Sequence, residues 1–319
     1  MIIIAVALLL SLILCLLFGV PYIDFLRKKT IGQYILDVAP DNHAQKAGTP
    51  TTGGVFIILA IIISSVIALL MAEKMDTSAG IILITLVFLA IAGFQDDYLK
   101  LKGHQNKGMS PRGKLLRQIL IALIPTFYAL QTYGNVVTIG SRYFDIGFLY
   151  PLLSIFIITG TSNAYNLTDG LDGLAAATGI PAFAACGIIS FMSGHTVVAI
   201  ICTTVIGALL GFLKYNKPKA QVFMGDTGSL ALGGLLAVLA IMGRCEILLA
   251  IFGGVFVIET LSVIIQVTSF KLTGRRVFKM SPIHHHFELS GHTETQIVKE
   301  FTLVSFILSA IAVVLFILV

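Results

Sequence analysis

The chain has 319 residues, of which 57% are hydrophobic and only 12% are charged. Soluble domains carry about a quarter charged residues, so this composition excludes an ordinary water-soluble protein. A transmembrane β-barrel is excluded as well, because its strands would alternate over segments of about 10 residues. The formal net charge is +5, and its distribution along the chain requires no nucleic-acid partner.

Ten apolar windows of 17 to 24 residues follow one another along the chain. A membrane-spanning helix needs roughly 20 such residues, and a helix satisfies its own backbone polar groups in lipid. We therefore predict an all-α, polytopic membrane protein with about ten transmembrane helices, folded as one domain over residues 1–319. The windows are 1–23, 53–72, 77–95, 118–141, 146–168, 173–194, 196–213, 227–243, 247–270 and 301–319.

The basic residues are concentrated in alternate loops between these windows. Eighteen of the 21 lysines and arginines fall in one set of loops, and only Lys74, Arg142 and Arg244 fall in the other. The positive-inside rule places the first set in the cytoplasm and both termini outside. The first set of loops comprises 24–52, 96–117, 169–172, 214–226 and 271–300.

Acidic residues recur at the predicted cytoplasmic ends of the spans. Asp96 and Asp97 occur in FQDDYLK, where adjacent carboxylates at a helix C-terminus repel each other and oppose the helix dipole. Neither effect favours folding, which suggests a functional reason for the pair. The alternative is a solvated acidic turn paired with Lys100.

The segment SNAYNLTDGLDGLA carries Asn166, Asp169 and Asp172 at intervals of three residues. On a helix or a tight helical turn, side chains at this spacing share roughly one side. We therefore expect a polar site here. An N-cap before the sixth span is the alternative, but it accounts for only one of the two aspartates.

Two glycine-containing motifs open predicted helices on the same face. Asp226 in FMGDTGS is placed to cap its helix, with Ser229 three residues on, or to bind a metal, and the two roles can coexist. In TPTTGG, at 49–54, the helix N-terminus provides a phosphate site with Lys46 nearby, unless it is an ordinary helix start.

A run of three histidines, His284, His285 and His286, occurs in PIHHHFE. Histidines provide hydrogen-bond donors for phosphate or sugar and groups for proton transfer, although a surface polar turn is the alternative. Glu259 lies within a predicted span, where an ionisable residue is costly and faces a cavity or a partner. The sequence leaves open whether Glu259 is a site residue or a buried structural acid.

Carboxylates, lysines and helix N-termini on one membrane face favour Mg²⁺ or Mn²⁺ over zinc. This combination indicates phosphoryl chemistry on a membrane lipid, with a soluble co-substrate that bears phosphate.

The motifs TPTTGG, DDYLK, NAYNLTDGLDGLA, GDTGSLALGG and PIHHHFE resemble, in order and spacing, the bacterial phospho-N-acetylmuramoyl-pentapeptide-transferase family. The resemblance covers about 40–290, and Thr52 replaces the usual methionine of TPTMGG. It implies transfer from UDP-N-acetylmuramoyl-pentapeptide to undecaprenyl phosphate, giving UMP and lipid I, with Mg²⁺ as cofactor. It also implies the bacterial cytoplasmic membrane, an active site on the cytoplasmic face and, at the level of the family, a homodimer.

The resemblance also implies roles for individual residues. Asp96, Asp97 and Asp226 are expected to be catalytic, with Asp226 binding the metal and Asp96 deprotonating the lipid phosphate. Because a phosphate monoester is already mostly dianionic at neutral pH, Asp96 could instead orient the phosphate or hold metal. Phe223 is expected to stack on uracil, and His285 to be catalytic. The other residues expected to bind substrate are Lys46, Thr51, Asn166, Asp169, Asp172, Ser229, Gln266, His284 and His286.

Two other functions are compatible with some of these features. A different polyprenyl-phosphate sugar-1-phosphate transferase would share the aspartate motifs, although the histidine run argues against it. A cation-coupled transporter would place its acids near the bilayer midplane. Here five of the candidate acids lie at one predicted face, which favours an enzyme.

Overall fold

A computed structural model describes residues 2–29, 48–102, 108–139 and 142–319. Within these ranges the chain forms twelve helices and one short two-stranded hairpin, which confirms the predicted all-α class. The helices are α1 Ile2–Lys28, α2 Gly54–Met71, α3 Thr77–Lys102, α4 Pro111–Tyr133, α5 Leu149–Thr168, α6 Leu174–Met192, α7 Thr196–Asn216, α8 Gly225–Met242, α9 Leu249–Phe252, α10 Gly254–Thr273, α11 Ile283–Glu288 and α12 Glu294–Leu318. The strands are β1 Val136–Ile139 and β2 Arg142–Asp145.

Nine helices of the described ranges are long and apolar enough to cross a membrane. The tenth predicted span corresponds to α5, which has 20 residues. Its C-terminal half is less apolar because it carries polar residues such as Ser162, Asn163 and Asn166. These helices confirm a polytopic membrane protein. The outside location of both termini and the single-domain organisation remain predictions.

The predicted window 118–141 has the wrong boundaries. The helix begins earlier, because Ser110 accepts a hydrogen bond from the Gly113 backbone N–H and Pro111 occupies the first helical position. It ends at Tyr133, where Gly134 has a φ of 72°. Beyond it, β1 and β2 pair as an antiparallel hairpin, so residues 136–139 of the window are extended rather than helical.

Helix α8 lies at the centre of the bundle, and every residue from 226 to 242 is buried. Two glycines allow neighbouring helices to approach its N-terminus closely. A methyl group at Gly93 of α3 would collide with the Asp226 carbonyl oxygen, and one at Gly54 of α2 would collide with the Gly228 backbone nitrogen. The N-terminus of α8 therefore lies against the backbones of both helices.

The positive-inside prediction can be tested with single cysteines at exposed helix ends. A cysteine at Thr77 or Ser193 should react with an impermeant thiol reagent applied to intact cells, whereas one at Lys102 or Lys217 should not. The four native cysteines are buried, so their background labelling should be low. The reverse labelling pattern would overturn the predicted orientation.

Candidate active site

The N-terminus of α8 is capped by an acid from another helix. The residue preceding α8, Met224, provides no side-chain cap. Instead, the Asp97 carboxylate of α3 accepts hydrogen bonds from the backbone N–H groups of Asp226 and Thr227, at 3.0 and 2.9 Å. The Thr227 hydroxyl donates a third bond, at 2.6 Å. A carboxylate at a helix N-terminus satisfies unpaired N–H groups and complements the helix dipole.

This cap leaves the Asp226 side chain available for other partners, so the alternative that Asp226 caps its own helix is wrong. Asp226 Oδ2 accepts from Lys100 Nζ at 3.0 Å and from Lys114 Nζ at 2.8 Å. Its Oδ1 accepts from the Asn166 side-chain amide at 2.8 Å. Asp226 is nevertheless buried, with 8% exposure, so its charge is balanced inside the protein.

Asp96 is also buried, with 3% exposure, and is not part of a solvated turn. Its Oδ2 lies 2.7 Å from Lys100 Nζ, so the expected pairing with that lysine is present. Its Oδ1 accepts the Met109 backbone N–H at 2.7 Å. The chain at Gly108 and Met109 therefore covers one side of the carboxylate.

Lys114 was not recognised as a site residue from the sequence, because membrane topology alone accounted for its positive charge. The start of α4 at Pro111 puts Lys114 in the first turn of that helix, from which it reaches Asp226. The Ser110–Pro111 helix-start signal could have located it near the other polar helix ends. Lys46 lies outside the described residues, and its role remains a prediction.

Asn166 and Asp172 have different partners, because α5 ends at Thr168 and Asp172 lies in the turn beyond it. Asn166 also donates to the Ser229 hydroxyl, at 2.8 Å. The Asp172 carboxylate accepts the Ala220 backbone N–H at 2.9 Å, and the backbone N–H of Asp172 donates to the Glu294 carboxylate. Asp172 thus anchors the turn, while Asn166 belongs to the Asp226 cluster.

Asp169 follows α5 and lies among other acids. Burial of its carboxyl group is the largest cause that raises its pKa well above the usual range. The neighbouring charges of Asp226, Asp97 and Asp172 raise this pKa further. Ionised Asp169 is therefore unfavourable here unless a cation balances it.

The TPTTGG segment pairs with the FMGDTGS segment through the backbone. The Phe223 N–H donates to the Pro50 carbonyl, and the Gly53 N–H donates to the Phe223 carbonyl, each at 2.8 Å. Thr51 is buried beside Gly225, and Phe223 is half-buried. Thr51 therefore lies beside the N-terminus of α8, and Phe223 lies in the segment that leads into that helix.

The histidine run forms α11, and its three side chains have different environments. His284 is fully buried, His285 Nδ1 lies 3.0 Å from Glu288, and His286 Nδ1 accepts the Lys279 backbone N–H. The amide of Gln266 binds backbone groups of residues 277 and 278. In this structure the side chains of Gln266 and His284 bind other groups of the protein, and their contact with substrate remains a prediction.

The donor set at Asp226 fits a hard cation. Among the described residues, no group of three or more acidic, histidine or cysteine side chains forms a ready ligand cage. Mg²⁺ is commonly held by one or two carboxylates together with substrate phosphates, so a full cage is not required. Asp226 provides carboxylate oxygens of this kind. Asp96 lies beside it, because Lys100 contacts both carboxylates.

Comparisons with known proteins show the family to which the chain belongs. A family model described as glycosyl transferase family 4 matches residues 79–244, which include most of α3 and the whole of α4, α5 and α8. The chain therefore belongs to that class of membrane glycosyl transferases.

Similar curated proteins define the family more narrowly. The phospho-N-acetylmuramoyl-pentapeptide-transferase of Bacillus licheniformis is 46% identical over 92% of this chain and 91% of its own length. Those of Oceanobacillus iheyensis and Bacillus subtilis are 48% and 45% identical, over 92% and 91% of this chain and 91% of each relative. The chain belongs to the phospho-N-acetylmuramoyl-pentapeptide-transferase family.

The cap on α8 predicts that Asp97→Asn destabilises the protein. Asparagine keeps the size of the side chain but replaces one accepting oxygen with an amide group that only donates. A buried backbone N–H then loses its partner, at a cost of about 1–3 kcal/mol in the free energy of unfolding. Thermal melting of the purified variant should show this loss, and Thr227→Ala, which removes only the hydroxyl donor, should lose less. Wild-type melting of Asp97→Asn would contradict the cap.

The environment of Asp169 predicts the opposite effect for Asp169→Asn. Because the folded-state pKa is raised, wild-type stability should fall as pH rises from the ordinary carboxyl pKa, about 4, towards the raised value. Asparagine is never charged, so the variant should melt at a higher temperature than the wild type near pH 8, without substrate or divalent cation. The difference should shrink towards pH 4. A variant that is less stable than the wild type at both pH values would refute this account.

Proposed function

We propose that this chain transfers phospho-N-acetylmuramoyl-pentapeptide from its UDP derivative to undecaprenyl phosphate, releasing UMP and forming lipid I. The observation that carries the proposal is the buried Asp226 carboxylate, bound by Lys100 and Lys114 and flanked by Asp96. In a chain of this family, such a cluster combines anion-binding and cation-binding groups at one point.

Charge neutralisation is the main chemical task in this reaction. A phosphate attacks a diphosphate, so two anions must approach each other before the phosphorus–oxygen bond to UMP breaks. Lys100 and Lys114 are charged donors that already lie within 3.0 Å of a carboxylate. When the diphosphate binds, the same ammonium groups can turn to its oxygens, because lysine side chains are long and flexible.

We further propose that Asp226 holds Mg²⁺ together with the substrate diphosphate. The bound cation would supply electrostatic stabilisation of the diphosphate oxygens. Asn166 supports this role, since its amide holds Asp226 Oδ1 while its second contact, to Ser229, fixes the amide itself. The Asp97 cap fixes the backbone from which Asp226 projects.

Asp96 has two open roles in this proposal. It either accepts the proton of the lipid phosphate or orients that phosphate through Lys100, which it contacts at 2.7 Å. A phosphate monoester has a second pKa near 6 and is mostly dianionic at neutral pH. The need for a general base is therefore small, and the orienting role is sufficient for the chemistry.

The cytoplasmic face is the proposed location of the site. Asp96, Lys100 and Lys114 belong to the 96–117 region, one of the loops in which basic residues are concentrated. A soluble UDP-linked substrate is available on that side, and a lipid phosphate reaches the same helix ends from within the bilayer.

The reaction is tested with purified protein, UDP-N-acetylmuramoyl-pentapeptide, undecaprenyl phosphate and Mg²⁺, by measuring UMP release. Asp226→Asn should lower kcat by at least ~10³-fold, a loss comparable to removing a main electrostatic group at a reaction centre. Asparagine keeps the side-chain shape but binds Mg²⁺ poorly, and chelation of divalent cations should have the same effect on the wild type.

The same assay contains its own controls. Thermal melting should show that Asp226→Asn remains folded, and UDP-N-acetylglucosamine as sole donor should give little UMP. Near-normal turnover of Asp226→Asn at saturating Mg²⁺ would refute the metal assignment. Preference for a simpler UDP-sugar would instead indicate a related sugar-1-phosphate transferase.

A further inference from the structure

Helix α10 carries a row of buried polar residues on one face. Glu259, Ser262 and Gln266 are spaced at i, i+3 and i+7, which places them on the same side of a helix. The segment after α10 folds back along this face, because Gln266 binds the backbone at 277 and 278. Glu259 binds the start of α11 in the same way.

The Glu259 carboxylate makes two contacts, one with each oxygen. Oε2 accepts the Ile283 backbone N–H at 2.9 Å, and Oε1 lies 3.0 Å from His284 Nδ1. Both side chains of the Glu259–His284 pair have 0% exposure. Since an ionised carboxylate can only accept, a neutral His284 ring must carry its hydrogen on Nδ1 and leave Nε2 as an acceptor.

The other side of the His284 ring faces the turn that follows α5. Within the described part of the chain, His284 Nε2 is buried and has no hydrogen-bond partner. A methyl group at Gly170 would collide with this nitrogen. Gly170 does not have a positive φ, so packing against His284, rather than backbone conformation, explains why a side chain does not fit there.

We propose that Glu259 is a positioning residue: it holds His284 in one orientation, and His284 in turn fixes the Asp169–Asp172 turn for the donor substrate. This inference rests on the proposed function and on the substrate-binding role that the family resemblance implies for Asp169 and Asp172. The chain of contacts runs from Glu259 through Nδ1 to the ring and from Nε2 to Gly170. Glu294 holds the same turn from α12, by accepting the Asp172 N–H at 2.6 Å.

Glu259 is suited to this task because it binds the backbone and the ring of α11 at once. Replacing the carboxylate with an amide would leave one oxygen to accept the Ile283 N–H but would turn an N–H donor towards His284 Nδ1, so the ring would lose the acceptor that fixes its orientation in a buried place. The ring would then be free to rotate, and the turn at Gly170 would lose the surface against which it packs. The catalytic carboxylates would keep their own contacts with Lys100 and Lys114.

A steric test examines the contact between His284 and the turn directly. Gly170→Ala should raise the KM for UDP-N-acetylmuramoyl-pentapeptide by at least ~10-fold, because its methyl group displaces the ring. Gly160→Ala is the matched control, since nothing lies within 4 Å of a methyl group there. In a His284→Ala background the methyl group has space, so Gly170→Ala should add less than ~2-fold. A full additional ~10-fold effect in that background would overturn the proposed contact.

The role of Glu259 is tested by the way the kinetic parameters change. Glu259→Gln should raise the KM for the UDP-linked donor by at least ~10-fold and leave the KM for undecaprenyl phosphate within ~2-fold. The double variant Glu259→Gln/His284→Ala should be no worse than His284→Ala alone, because the two residues act as one unit. The control is Glu246→Gln, which neutralises a different buried acid, with 4% exposure, between α8 and α9.

A merely structural role would give a different pattern. It would lower the melting temperature and the fraction of active enzyme, and thus kcat, while both KM values stayed near those of the wild type. That result would overturn the proposal. If the wild type releases no UMP, the proposed function fails instead. The melting temperatures of the same single and double variants then still decide whether Glu259, His284 and Gly170 are coupled.

Discussion

The architecture of the site depends on the carboxylate of Asp97, which caps α8 from α3. Its three hydrogen bonds join two helices at the point where Gly93 lets their backbones approach. Because the cap is supplied from outside α8, the first turn of that helix does not need its own acid for this purpose. Asp226 is released to face Lys100, Lys114 and Asn166. The adjacent aspartates of α3 thus make different contacts: Asp97 caps α8, and Asp96 pairs with Lys100.

The fold class could be predicted from the sequence because lipid imposes one demand, that backbone polar groups are satisfied locally. Apolar windows of the right length therefore indicate helices regardless of packing. Boundaries were less accurate where a local signal competed with hydropathy. Gly134 ends α4 within an apolar window, and residues 136–139 then pair with Arg142–Asp145. Apolar character does not distinguish a strand from a helix over so short a run.

The acids of the site could be predicted because carboxylates that do not favour folding, such as adjacent acids at a helix C-terminus, suggest a functional reason for their presence. Their partners were harder to recognise. Lys114 carries a charge that membrane topology already explains, and only the position of α4 reveals its contact with Asp226. Glu259 and Gln266 lie seven residues apart, a spacing that marks one helical face. The partner of that polar face is the segment that follows α10, and hydropathy alone does not show that this segment folds back along the helix.

Charge balance links these parts. Among the described residues, Lys100 and Lys114 contact Asp226, Lys100 also contacts Asp96, and the charges of Asp97 and Asp226 act on Asp169. The excess of negative charge is one cause of the raised pKa of Asp169. A divalent cation would offset the same excess of negative charge. In the proposed reaction the substrate phosphate would draw on the lysines and leave the acids to the cation. Because acids outnumber lysines among the described residues of the site, we expect it to favour a diphosphate with its cation over a diphosphate alone.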